Sequence, residues 1–270
     1  MLTKTINKIL VAQHKRFVDS INNDVIKKLV KGNSIITGGS IVSMLLNEEV
    51  NDFDYYFTDA NTCFKVAEYF VGEFNKRNNA EIQVIQSDNG RIKIMVRSSG
   101  IALDTNVEDD KNLFLPTCLS SNAITLTDKT QLVIRFYGNA EEIHTNYDFA
   151  HATCYWTSKD EKLTLPALAL EKILTKELFY TGSKYPLCSI LRAKKFVKRG
   201  WSINAGQYVK MALQLNVMDL LDANVLEEQL TGVDSAYFNQ AITIIKEKQE
   251  NDANFKLDSA YLFEVINRIF

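Results

Sequence analysis

The sequence predicts an α+β fold, with a mixed β-sheet domain over residues 1–160 followed by a mainly helical domain over residues 161–270. Three observations carry this. Strand-length runs alternate with helices up to about Thr157 to Lys162, tight-turn pairs such as Asn89-Gly90 separate several of the runs, and from Leu163 onward the apolar pattern is helical almost throughout.

The elements follow in order. Ile6, Leu10, Phe17, Ile21, Val25 and Leu29 recur mostly at helical spacing and predict one long amphipathic helix from Thr3 to about Lys31. A short strand or turn over Ser34 to Ile36 leads to a short helix, Ser40 to Leu46, then to a strand, Asp52 to Phe57. A helix from about Thr62 to Arg77 closes on the polar pair Asn78-Asn79. Three strand-like runs come next: Glu81 to Gln86, Arg91 to Arg97 and Ile101 to Val107. Asn89-Gly90 and Ser98-Ser99-Gly100 divide them, and Asn-Gly accepts the positive φ angles of a hairpin. Gln131 to Tyr137 is a β-branched and aromatic strand, Ala140 to Tyr147 a short helix and Phe149 to Trp156 a further strand. Such a sheet packs naturally with helices on one side. The helices expected beyond it are Pro166 to Phe179, Pro186 to Arg199, Ala205 to Leu213, Val225 to Leu230, Asp234 to Glu250 and Ser259 to Phe270, with prolines at first turns and Gly182 and Gly200 at helix ends.

Composition narrows the classes of function. Lys and Arg total 31 against 33 Asp and Glu, so no global basic field announces a polyanion and any such site must be local. Cys63, Cys118, Cys154 and Cys188 form no CxxC pair and have no histidine at zinc spacing, which reads as reduced, buried thiols. No apolar run approaches the roughly 20 residues of a membrane span, and residues 1–14 lack a signal-peptide core. A cytoplasmic protein is expected, of open oligomeric state.

Two short motifs carry chemistry. In Thr37-Gly38-Gly39-Ser40, two glycines allow close backbone approach and a hydroxyl can donate to a phosphate at a helix start. In Asn51-Asp52-Phe53-Asp54, side chains at i and i+2 of an extended strand share a face, so Asp52 and Asp54 would point together and suit divalent metals. Taken singly, Gly38-Gly39-Ser40 is an ordinary turn and helix cap, and the aspartates a solvated loop. Phe53, Tyr55 and Phe57 read as core or wall. Arg192, Lys194, Lys195, Lys198 and Arg199 make one helix basic, either a solvated face or a contact for phosphate or RNA. His144 and His151 read as structural histidines.

Gly38-Gly39-Ser40, then Met44-Leu45-Leu46, then Asn51-Asp52-Phe53-Asp54 resembles the head of the polymerase β type nucleotidyltransferase superfamily, most of all CCA-adding tRNA nucleotidyltransferases and related poly(A) polymerases. A second stretch, Gln131 to Tyr137, Glu141-Glu142-Ile143, Tyr147-Asp148-Phe149 and Cys154-Tyr155, with Tyr185-Pro186 through Gly200, is similar to a nucleotidyltransferase-like group in viruses and phages. The matches cover about Ile35 to Gly200. The chain departs from the CCA-adding pattern in having Ile41-Val42-Ser43 where those enzymes place an arginine-aspartate pair, and no R-R-D-F motif.

The resemblance implies a nucleotidyltransferase-type sheet domain with a helical substrate-binding domain behind it. It implies transfer of a nucleoside monophosphate from an NTP to an acceptor hydroxyl, with release of pyrophosphate and Mg²⁺ or Mn²⁺ as cofactor. Asp52 and Asp54 would hold the metals, with Asp148, or alternatively Asp104, as the third carboxylate. Gly38, Gly39 and Ser40 would hold the β- and γ-phosphates, with Lys195 and Lys198 as further phosphate contacts. The acceptor it implies is an RNA end of the tRNA kind; a protein or small molecule stays open, as does a catalytically silent binding or assembly protein of the same fold. Phage origin would place the protein in the host cytoplasm.

Overall fold

The computed structural model describes residues 1–96, 100–102, 114–230, 236–252 and 254–269. The chain divides into two compact units, Met1–Thr145 with His151–Thr175, and Asn146–Ala150 with Lys176–Phe270.

In the first unit, α1 (Thr3–Ser20) buries Ile6, Leu10, Phe17 and Val18. The single long helix expected from the apolar spacing is instead two. Ile21 turns extended, and the Asn23 side chain accepts from the backbone N–H groups of Val25 and Ile26, at 3.0 and 3.1 Å, to start α2 (Asp24–Gly32). Asparagine competes with the helix for backbone hydrogen bonds and so favours a cap over a helix interior. The break also shifts the buried phase, so that Ile26 and Val30 face the core while Val25 is exposed.

The unit continues through β1 (Ser34–Thr37), α3 (Gly39–Leu46), β2 (Phe53–Phe57) and α4 (Ala60–Asn78), whose first turn is capped by the Asp59 carboxylate accepting from the Thr62 N–H at 2.8 Å. Strands β3 (Val84–Gln86) and β4 (Ile92–Ile94) form a separate antiparallel pair. Then come β5 (Ile101–Ala102), β6 (Pro116–Leu119), β7 (Ala123–Leu126), β8 (Thr130–Tyr137), α5 (Ala140–His144), β9 (Tyr155–Thr157), β10 (Lys162–Thr164) and α6 (Ala167–Thr175). Most of the expected strand Ile101 to Val107 lies outside the described residues. The expected strand Phe149 to Trp156 is replaced by a 3-10 turn, Ala150–Thr153, and the short β9. Strands β6, β7 and β10 were not expected; each has only three or four residues and too little apolar alternation to stand out.

Among the described residues eight strands form one mixed sheet in the order β10-β9-β1-β2-β8-β7-β6-β5. Its pairings are antiparallel except that between β2 and β8, which is parallel with Phe53 opposite Thr130 and Asp54 opposite Gln131. A parallel pair cannot be closed by a tight turn, so the chain between Phe57 and Thr130 must cross over, and α4 lies in that crossover. Directly paired residues share a face. Ile36, Tyr55 and Trp156 therefore line one side of the sheet, and Thr37, Asp54 and Tyr155 the other. The first side is the core under α1 and α4: the Phe17 ring sits 4.9 Å from Tyr55, 5.2 Å from Phe114 and 5.9 Å from Phe70, centroid to centroid. The strand and helix order implied helices on one side alone; α5 departs from this, because its His144 ring meets Thr37 and Tyr155 on the other side.

The second unit contains α7 (Pro186–Lys198), α8 (Ala205–Leu215), α9 (Ala223–Leu230), α10 (Ala236–Asn251) and α11 (Ser259–Ile269). Ala223, Leu226, Leu230, Ile242, Ile245 and Leu257 form a buried apolar cluster in it. The short segment Asn146–Ala150 joins this unit through a bridge between Phe149 and Tyr180. Among the described residues no helix is long and apolar enough to cross a membrane.

Phe17 is fully buried at the meeting point of three other rings, so Phe17→Ala removes that contact area and leaves a cavity. Urea denaturation should show a loss of about 3–5 kcal/mol; a loss below about 1 kcal/mol would mean that α1 does not close this face.

Candidate functional site

At the end of β1 the chain makes a turn only glycine adopts readily. Gly38 has φ 91° and ψ −143°, a region essentially closed to residues with a Cβ, and it lets α3 begin at once at Gly39. No side chain caps this helix start. A Cβ built on Gly39 meets nothing within 4 Å, so the backbone there is open to a close-approaching group. Ser40 is 1% exposed, and its hydroxyl has no hydrogen-bond partner. An unpartnered buried hydroxyl beside uncapped N–H groups is a donor set that suits an anion.

Asp54 is the second residue of β2, which ends three residues later at Phe57; Asp52 stands just before the strand. Asp54 is half-buried, lies opposite Thr37 of β1 and so reaches the same side of the sheet that Thr37 faces. Asp52 is exposed, in the loop that enters β2. Burial, and after it the charge of Asp52, pushes the Asp54 carboxyl up to about 7. A buried carboxyl raised in this way beside a second carboxylate is a site a divalent cation relieves, and the hard oxygens of the two fit Mg²⁺ or Mn²⁺. Among the described residues no group of three His, Cys, Asp or Glu side chains is assembled for a metal, so the fit rests on this pair.

The Thr37 hydroxyl links the glycine turn to its neighbours. It donates to the Cys154 carbonyl at 2.9 Å and stands 2.8 Å from Nε2 of His144, whose ring burial pushes down to about 4. With its own proton given to Cys154, the hydroxyl accepts from a neutral His144. The structural reading of this histidine therefore gains a partner that lies one residue from Gly38.

Further along the same side of the sheet, Ile35, Tyr155 and Thr157 line a cavity of about 510 Å³ that also takes in Asn33, Thr58, Glu141 and Lys159. No sequence pattern announced it, because its lining comes from four separate segments.

Of the other expected site residues, Asp148, Lys195 and Lys198 belong to the second unit. Asp148 is buried there and takes a hydrogen bond from Arg192 at 2.6 Å in an ion pair. Its backbone carbonyl accepts from Thr181 at 3.0 Å. Asp104 lies outside the described residues. Lys195 and Lys198 are exposed on α7, with Lys194 between them and Arg192 on the same helix.

Residues 8–176 match the Gabija anti-defense 2 protein family. The protein named Gabija anti-defense 2 of Bacillus phage SPbetaL7 is 21% identical over 263 residues, covering 93% of this chain and 56% of that protein. The chain thus spans little more than half the length of this curated relative. Among solved structures, a tRNA-processing enzyme with CTP is 14% identical over 91% of this chain and 57% of its own, at a TM-score of 0.43. The Thermotoga maritima CCA-adding enzyme complexed with tRNA is 13% identical over 80% of this chain and 49% of its own, at 0.41.

The state of Asp54 sets a pH dependence. An aspartate in the unfolded chain ionises near pH 4, so the folded, metal-free protein keeps a proton that the unfolded chain has released until about 7. The stability from that difference is complete below about pH 4 and is lost as pH rises through about 7. Asp54→Asn cannot ionise, so its Tm should gain on the wild type from about pH 4 to about pH 7 and level off above that, in calorimetry with a chelator present. A difference that stays flat across that interval would mean that Asp54 titrates as an ordinary aspartate.

Proposed function

The chain belongs to the Gabija anti-defense 2 family, and we propose that it is a metal-dependent nucleotidyltransferase of a phage, serving to counter the host defence for which that family is named. It moves a nucleoside monophosphate from an NTP to an acceptor hydroxyl, an RNA end, and releases pyrophosphate in the host cytoplasm. The observation that carries this reading is the pairing of an uncapped glycine turn and an unpartnered Ser40 hydroxyl with Asp54, whose carboxyl burial and the charge of Asp52 push up to about 7.

Each group has a part in the transfer. The backbone N–H groups at Gly39 and Ser40, with the Ser40 hydroxyl, hold the β- and γ-phosphates; Gly39 keeps that approach free of side chains, and Gly38 makes the turn before it. Asp52 and Asp54 would hold Mg²⁺ or Mn²⁺. When bound, such ions stabilise the attacking and leaving oxygens of an in-line displacement at the α-phosphorus. Thr37 and His144 keep the turn in register with β9. The exposed lysines 194, 195 and 198 of α7 supply cations suited to an RNA backbone, which supports RNA as the acceptor. Asp148 is the proposed third carboxylate.

A second reading has one specific observation in its favour. Asp148 already has a partner in Arg192, and a carboxylate held in an ion pair is a poorer metal ligand, which suits a catalytically silent protein that binds nucleotide without turning it over.

Pyrophosphate release separates the two. With Mg²⁺ or Mn²⁺, each labelled NTP and total host RNA, the wild type should release pyrophosphate and label RNA, and Asp52→Asn with Asp54→Asn should lower the rate at least about 1000-fold while the fold survives. NTP binding with no release would favour the silent reading, and a double variant as active as the wild type would remove the assigned roles.

A further inference from the structure

We propose that Lys129 is a positioning residue for the carboxylate pair, clamping the loop Glu49–Phe53 so that Asp52 is set against Asp54; this rests on the metal-site reading above. The need for such a clamp follows from β2. Asp54 is fixed by ladders on both sides, to β1 and to β8. Asp52 is exposed in the loop before the strand and belongs to neither ladder.

Lys129 meets that loop at both ends. Its backbone carbonyl accepts from the Phe53 N–H at 2.7 Å, its ammonium donates to the Val50 carbonyl at 3.0 Å, and the same ammonium pairs with the Glu49 carboxylate at 2.7 Å. Asn51 and Asp52 lie between these anchors. An ammonium on an exposed carboxylate alone would hold little. Bonds to main-chain groups on either side of Asp52 restrict the loop itself.

The turn that carries Lys129 is unusual for its sequence. Asp128 and Lys129 adopt φ of 59° and 53° in succession, in the three residues between β7 and β8. Glycine or asparagine adopts that region at lower cost than lysine. The turn alone therefore gives no reason for lysine; the contacts of its ammonium do. Asp128 is tied to α1 in turn: the Gln13 amide donates to it at 3.3 Å and to Thr130 at 3.2 Å, and Arg16 pairs with it at 3.1 Å. A continuous set of polar contacts thus runs from α1 through the turn to the loop of Asp52.

The sign of the effect isolates positioning from charge. A cation close to the site repels a divalent ion, so removing the Lys129 charge by itself would tighten metal binding. Removing a clamp would weaken it.

Mn²⁺ titration of the full chain, followed by electron paramagnetic resonance, reads this directly, with Tm measured on the same samples. Lys129→Ala should raise the Mn²⁺ Kd about 10-fold or more at a Tm close to wild type, and Lys129→Arg should recover most of the loss. Lys129→Gly removes the ammonium while relaxing the positive φ, so it should bind as weakly as the alanine variant from a turn at least as stable. Unchanged or tighter Mn²⁺ binding in the alanine and glycine variants, with a wild type that binds, overturns the positioning role alone. A wild type that binds Mn²⁺ no better than Asp52→Asn with Asp54→Asn overturns the metal site and this role with it.

Discussion

The parallel pairing of β2 with β8 is the constraint on which the first unit depends. With β1 antiparallel on its other edge, β2 is held from both sides, and Asp54 is placed opposite Thr37 and Gln131 at once. Because the pair is parallel, the intervening chain has to leave the sheet and return, which brings α4 over the core face and leaves the other face for Thr37, Asp54 and Tyr155. A register slip of one residue in β2 would carry Asp54 to the side of Tyr55 and Phe17 and bury it among rings. The site is thus a consequence of which edge β2 shares with β8.

Two opposite requirements meet on that open face. Ser40 and the start of α3 present donors without acceptors, while Asp52 and Asp54 present acceptors that repel each other. Each half is unsatisfied in the free protein, and a metal-bound polyphosphate, as proposed above, would satisfy both together. Gly38 makes the first half by turning the chain straight from strand to helix. The second half is made by the loop before β2, where the neighbouring β7–β8 turn supplies the hydrogen-bond partners of the main chain.

Much of this was legible in the residues, and the exceptions have physical causes. The glycine turn, the short helix after it and the strand of Asp54 stand in the sequence because glycine, apolar periodicity and β-branched or aromatic runs act locally. The break between α1 and α2 was hidden by apolar spacing that continues across Asn22-Asn23, although asparagine's preference for caps was the available signal. Strands β6, β7 and β10 take their stability from neighbours in the sheet, which no short window contains. Lys129 left no trace at all: a lysine in a Thr-Asp-Lys-Thr run reads as a solvated turn, and only the meeting of that turn with residues 49–53 gives it partners. The pairing of Asp148 with Arg192 likewise joins positions 44 residues apart.

A crystal structure with Mn²⁺ and a non-hydrolysable NTP analogue tests the central claim most directly, through the anomalous signal of the metal. Manganese should appear about 2.1–2.2 Å from carboxylate oxygens of both Asp52 and Asp54, with the triphosphate against the backbone of Gly39 and Ser40 and the Ser40 hydroxyl donating to it. Manganese bound away from both aspartates, or a triphosphate that leaves Gly39 and Ser40 untouched, would contradict the account.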